Sequence, residues 1–351
     1  MKKFLVRATL FLIPVILLHI FTFLFYRTDK GDLIDVGYIM SLFPHYTDIF
    51  KEEYKQDIHF TKIDVHKDQS DFNIFTMGDS FSEQDNYGYK NYLGAYPGMR
   101  VLHFDDRWHW GVSSFQELGK LINGDFFDNK KIKYVILESV ERNLVSLAQI
   151  VDPNQKQTTE ELGKIIEEKK EVKIPEEHFI FPSDRIVKFP LYNILYFFDD
   201  NAYLSETYRV KLKNKMFSAG FGDLLFLKDE ITLTNANNDK AGMVATSNLF
   251  NYFSDKLAQK GIKLIVLICP DKYDIYYDYM VNNKDYPRPT VLNYMDTVNK
   301  KYLYVHAKDL LSDAVKTQKD LYLYGDTHWS PWAAKLVAAN LYKIITTDSK
   351  Q

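Results

Sequence analysis

Gly78-Asp79-Ser80 follows a short apolar run, and Asp326-Thr327-His328-Trp329 lies far downstream, just ahead of a helix signal. A serine hydroxyl is a weak nucleophile until an adjacent base takes its proton. His328 is the residue type for that base. Asp326, two positions earlier, can accept the imidazole Nδ1–H and leave Nε2 facing the serine. Each string has a plainer reading on its own: a turn with an N-capping serine for the first, a capped turn or half a metal site for the second. A metal site needs further ligands at regular spacing, and the other histidines are scattered. We therefore expect no metal and no cofactor. Together the strings point to serine-dependent acyl transfer by Ser80, His328 and Asp326. Gly111 is a candidate second oxyanion donor, with a plain loop glycine as the alternative. Arg142 is a candidate to hold substrate oxygens, with a structural Glu–Arg ion pair as the alternative.

These residues need a scaffold that brings distant segments to one edge. Strand-like apolar runs occur at Asn73 to Met77, Met99 to Phe104 and Tyr134 to Leu137. Between the second and third, Ser114-Phe115-Gln116-Glu117 reads as a capping box, with Leu118, Leu121 and Ile122 on one helical face and Gly124 as the stop. An amphipathic helix is expected over Leu249 to Lys260, ending at Gly261. Further strands are expected at Lys263 to Ile268 and Tyr302 to His306. A last helix starts at Ser330-Pro331, an N-cap followed by proline at the first helical position. Alternating strands and helices with buried apolar runs predict a three-layer α/β sandwich around a mostly parallel sheet. Ser80 would then sit at the carboxyl edge of that sheet, where such folds bind ligands.

The predicted domain spans about residues 71–345. It is interrupted near 146–240 by an insertion or cap, of which 158–177 is a charge-dense, solvated stretch. Residues 28–70 read as a stalk and lead-in. Residues 1–27 hold Ala8 to Tyr26, a 19-residue run without formal charge, preceded by Lys2, Lys3 and Arg7. That length suits a bilayer span, and no small-residue cleavage site follows it. The expected arrangement is a single-pass anchor in the cell membrane, with the N-terminus cytoplasmic and the domain outside. Composition is ordinary for a globular chain of 351 residues, and a net charge of −3 argues against a nucleic-acid partner. The sole cysteine, Cys269, reads as a buried structural thiol.

The quoted strings resemble the SGNH/GDSL hydrolase superfamily and, within it, the polysaccharide O-acetyltransferases typified by AlgX and AlgJ. Gly78-Asp79-Ser80-Phe81-Ser82, Glu138 to Arg142, Pro270-Asp271-Lys272 with Tyr276, and Asp326-Thr327-His328-Trp329 carry the resemblance. The serine precedes the Asp-x-His pair, as in ordinary SGNH enzymes and the teichoic-acid D-alanylation protein DltD; in AlgX and AlgJ the order is reversed. The superfamily Asn that completes the oxyanion hole is not evident in the third block, and Arg142 or Asn143 stands as its substitute. The resemblance implies O-acetylation of a cell-envelope or extracellular polysaccharide through an acyl-serine. It also implies a membrane-bound O-acyltransferase partner that supplies the acyl group. The alternatives are an SGNH-type carbohydrate esterase or deacetylase, and a non-catalytic glycan-binding scaffold.

Overall fold

The computed structural model describes residues 2–25, 31–33, 46–64, 66–105, 113–171, 191–203, 205–237 and 239–350. Six parallel strands form one sheet in the order β1 (Phe60–Lys62), β3 (Val101–His103), β2 (Ile74–Met77), β4 (Tyr134–Val140), β7 (Lys263–Cys269) and β8 (Leu303–Val305). The long central strands explain the apolar runs. Every residue of β4 is buried, and only Lys263 of β7 is exposed. A strand covered on both faces has no solvent side to alternate with.

Successive side chains point to opposite faces, so each strand feeds two cores. Ile136, Val140, Ile265 and Leu267 pack on one side with Val337, Leu341 and Ile345 of the C-terminal helix Pro331–Asp348. Val135, Leu137, Leu264 and Val266 pack on the other with Phe115 and Leu118 of the helix Ser114–Asn123, and with Phe250 and Phe253 of the helix Lys240–Ala258. At about 1.5–3 kcal/mol for each large apolar side chain buried, these two clusters dominate the driving force for the three-layer α/β sandwich. The order of the central strands places the carboxyl ends of β2, β4 and β7 side by side. That shared edge is where the distant strings meet.

Two details differ from the sequence expectation. The cap of the first core helix is Ser113, whose extended backbone lets its Oγ accept the Gln116 N–H at 3.0 Å. Ser114 is already the first helical residue and is buried, so it is not placed to cap. The lead-in supplies the edge strand β1, and the insertion contains an antiparallel hairpin, β5 (Thr207–Lys211) with β6 (Asp223–Leu227). The charge-dense stretch forms a helix over Thr159–Glu171; its remainder lies outside the described residues.

Lys2–Phe25 form one 24-residue helix containing Pro14. Phe4, Leu10, Phe11 and Leu17 on it are exposed. Among the described residues, no helix is long and apolar enough to cross a membrane.

Candidate active site

Gly78-Asp79-Ser80 leaves the end of β2 as a tight turn. The Ser82 N–H donates to the Asp79 carbonyl at 2.9 Å, and the Glu83 N–H donates to the Ser80 carbonyl at 3.1 Å. Glycine is required at 78 by space. A Cβ there would run into the Glu138 carboxylate and Ser82 Oγ. Glu138, fully buried in β4, accepts from the Asp79 N–H at 3.0 Å and from Ser82 Oγ at 2.7 Å. Asp79 turns back to the same strand, taking the Val140 N–H at 2.7 Å and the Phe81 N–H at 3.1 Å. Burial, reinforced by the nearby Asp79 charge, pushes the Glu138 carboxyl well above the usual range. The result is a turn clamped to the neighbouring strand with the Ser80 side chain left exposed.

His328 faces it. Its Nε2 lies 2.7 Å from Ser80 Oγ, and its Nδ1 lies 2.5 Å from Asp326 Oδ1, which also accepts the His328 N–H at 2.9 Å. Burial alone would lower the imidazole pKa. The hydrogen bond and charge of Asp326, with Asp32 and Asp79 adding, hold it above the ordinary 6.5. Burial likewise opposes ionisation of Asp326, but its bonds to His328 keep its carboxyl below the usual 3.8. The nucleophile–base–carboxylate geometry of acyl-transfer chemistry is present.

Two contacts hold the His328 segment in register with the Ser80 turn, and two more brace it from other elements. Gln84 makes a two-way bond to Trp329. It accepts the indole N–H at 2.7 Å, and its own NH2 donates to the Trp329 carbonyl at 3.0 Å. Phe81, fully buried, packs under the imidazole with ring centroids 4.7 Å apart and meets Trp329 edge-on at 5.1 Å. The buried Lys272, just past β7, donates to the carbonyls of Leu323, Tyr324 and Asp326 at 2.8, 2.7 and 3.2 Å. Burial pulls its ammonium down to about 8 despite nearby Glu230, Asp326 and Asp32. Finally, Asp32 accepts the Thr327 N–H at 2.8 Å and the Thr327 hydroxyl.

The other candidates stand as follows. The Arg142 guanidinium donates to Asp271 at 2.5 Å and is largely buried, in the structural ion pair that was its alternative, though with an aspartate as partner. Asn143 occupies the N-cap position of the short helix Leu144–Gln149 without a side-chain capping bond and is half-buried. Gly111 lies outside the described residues. Tyr276 is fully buried against Phe217, ring centroids 4.9 Å apart, as a core residue. Cys269 is buried at the end of β7, and its thiol is pushed well above its usual range by burial and by Glu138. Asp32, Asp326 and His328 bring one potential metal-ligating atom each within 4.8 Å of one another. Those atoms are already engaged, Asp326 with His328 and Asp32 with Thr327, so the trio is a hydrogen-bonded network. Sequence reading missed Gln84 and Asp32. The only trace of Gln84 was its spacing of four residues after Ser80, and Asp32 sits in a segment read as stalk.

A three-layer α/β domain with Ser, His and Asp converging at the carboxyl edge of a parallel sheet resembles an SGNH-type domain. Residues 219–351 match the family described as SGNH hydrolase-like domain, acetyltransferase AlgX. The chain is also 28% identical over 137 residues to the probable alginate O-acetylase AlgJ of Pseudomonas syringae pv. tomato, a match covering 36% of this chain and 34% of that protein. The chain is thus similar to AlgX- and AlgJ-type SGNH proteins, and its match spans about a third of that relative's length. The family match includes Lys272, Asp326 and His328 but not Ser80. No solved structure matches the chain.

Proposed function

We propose that this chain is a serine-dependent O-acyltransferase, most simply an O-acetyltransferase, acting on a cell-envelope or extracellular polysaccharide. The observation that carries the reading is Ser80 Oγ at 2.7 Å from His328 Nε2, with Asp326 at 2.5 Å on the other imidazole nitrogen. The similarity to AlgX- and AlgJ-type proteins supports polysaccharide O-acetylation as the setting.

In the first half-reaction Ser80 Oγ attacks the acyl carbonyl of a donor ester while His328 Nε2 takes the hydroxyl proton. Asp326 stabilises the resulting imidazolium. Among the described residues the Ser80 N–H has no acceptor, which suits it to the developing oxyanion. The tetrahedral intermediate collapses, its C–O bond to the leaving alcohol breaks, and His328 returns the proton to that alcohol. In the second half-reaction a sugar hydroxyl attacks the acyl-Ser80 carbonyl, His328 again accepting the proton. Collapse then expels Ser80 Oγ, which His328 reprotonates.

The partner in this reading is a membrane-bound O-acyltransferase that presents acyl groups outside the membrane. We assign membrane attachment, with the N-terminus cytoplasmic, to the uncharged run Ala8 to Tyr26 on its sequence alone; no helix among the described residues adds support for a span. Tethering raises the effective concentration of the domain near that donor. The test is turnover of an activated acetyl ester with and without an oligosaccharide panel, read by mass spectrometry. Acetylated sugar that vanishes in Ser80→Ala and His328→Ala is the expected result. Acetate alone, whatever the sugar, would mark an esterase. Undiminished turnover in His328→Ala would end the serine reading.

A further inference from the structure

We infer that Asp32 is a positioning residue for the His328 base, and that it latches the segment just after the N-terminal helix onto the catalytic loop. The inference rests on the reading of Ser80, His328 and Asp326 as the reactive set.

Six residues separate Phe25, the last of the N-terminal helix, from Asp32. The short piece Gly31 to Leu33 lies directly on the Gly325–Thr327 loop. Gly31 has φ +122°, and a Cβ there would collide with the Gly325 carbonyl, so only glycine permits the approach. The Leu33 N–H donates to that same carbonyl at 3.1 Å, and its side chain is 1% exposed in the core beneath the C-terminal helix. Between these two anchors the Asp32 carboxylate takes both donors of Thr327, the backbone N–H and the hydroxyl. Thr327 itself is buried.

That arrangement gives Thr327 a reason to stand between Asp326 and His328. Its backbone is shared with both, and a bidentate bond to Asp32 fixes the peptide from which both side chains extend. Hydrogen bonds to an ionised acceptor are about twice as strong as neutral ones. A misplacement of about 1 Å in a reacting group costs on the order of 100-fold in rate. Asp32 acts through its bonds to Thr327 and, electrostatically, through His328. The carboxylates that hold the imidazolium are Asp326, Asp32 and Asp79. The cation facing Asp326 and Asp32 is Lys272. Removing the Asp32 charge leaves one fewer carboxylate facing the imidazole and lowers its pKa.

The consequence is a coupling between tether and chemistry. The segment that links the N-terminal helix to the domain also braces the base.

The experiment uses the full chain in detergent. Asp32→Asn is expected to lower kcat about tenfold or more with KM changed less than about threefold, and to move the acid limb of the kcat/KM profile to lower pH. Thr327→Val keeps the backbone donor and loses only the hydroxyl, so it gives a smaller loss and remains readable where Asp32→Asn folds poorly. Combining the two substitutions is expected to add nothing beyond Asp32→Asn. The imidazole titration of His328, followed by NMR, reads the latch independently of turnover. If Ser80→Ala retains full activity but the Asp32→Asn titration shifts downward, the functional reading fails and the latch stands. A change in melting temperature with no movement of kcat, acid limb or His328 titration would overturn the proposal. Strictly additive effects of the two substitutions would overturn it as well.

Discussion

Gln84→Leu severs the one side-chain link that joins the Ser80 turn to the His328 segment by two bonds. In the native chain the amide satisfies a buried indole N–H at 2.7 Å and a buried carbonyl at 3.0 Å, both on the fully buried Trp329. Leucine fills similar volume but leaves both groups without partners. At about 1–3 kcal/mol for each orphaned buried group, and allowing for imperfect additivity, the loss is about 2–5 kcal/mol. For a domain of this size about 1 kcal/mol corresponds to roughly 2–4 °C in Tm, so a fall on the order of 5–15 °C is expected. The functional cost arises because Trp329 is covalently next to His328. Slippage of about 1 Å opens the contact to Ser80 and costs on the order of 100-fold in rate. The assay is kcat/KM on an activated acetyl ester, paired with thermal unfolding of the same preparation. Wild-type kcat/KM within about threefold and an unchanged Tm would refute the claim that this bridge sets the register of the site.

Three further predictions follow from the same geometry. Because neutral His328 is the base and its pKa is held above 6.5 by Asp326, kcat/KM is low in acid and rises with pH through that raised value; a pH–rate profile already flat below 6.5 would contradict this. The Asp326–His328 pair contributes stability that is greatest between the two ordinary pKa values: the His328 share is lost as pH rises through its raised folded value, and the Asp326 share is lost as pH falls through its lowered one, which thermal unfolding against pH measures. Gly78→Ala forces a methyl into Glu138 and Ser82 and is expected to destabilise by about 1–3 kcal/mol with loss of activity; normal unfolding and turnover would show that the turn has slack.

The strands that the sequence made legible are the doubly covered ones. β2, β4 and β7 are nearly continuous apolar runs because helices pack on both faces, so a short window suffices to find them. β1 escaped because it is a three-residue edge strand with one buried side chain. The β5–β6 hairpin escaped because Tyr208 and Phe226 stack across it while Arg209 turns onto the buried Asp223 and only Lys211 is exposed, blurring any simple alternation. Ser80, Asp326 and His328 were legible because reactive residue types cluster in short strings. The residues that hold them were not. Gln84 and Asp32 are ordinary polar residues locally, and their roles exist only once the fold brings positions 245 and 295 residues apart into hydrogen-bond contact. Arg142 is a similar case: its place after a central strand was legible, but its ion pair with Asp271, just past the end of β7, was not.

The most direct measurement of the central claim is intact-protein mass spectrometry after brief exposure to an activated acetyl ester, followed by peptide mapping. The account predicts one added acetyl group on Ser80, trapped in higher yield when the sugar acceptor is omitted and absent from Ser80→Ala. Acetylation at another residue, or turnover that persists without any label on Ser80, would contradict it.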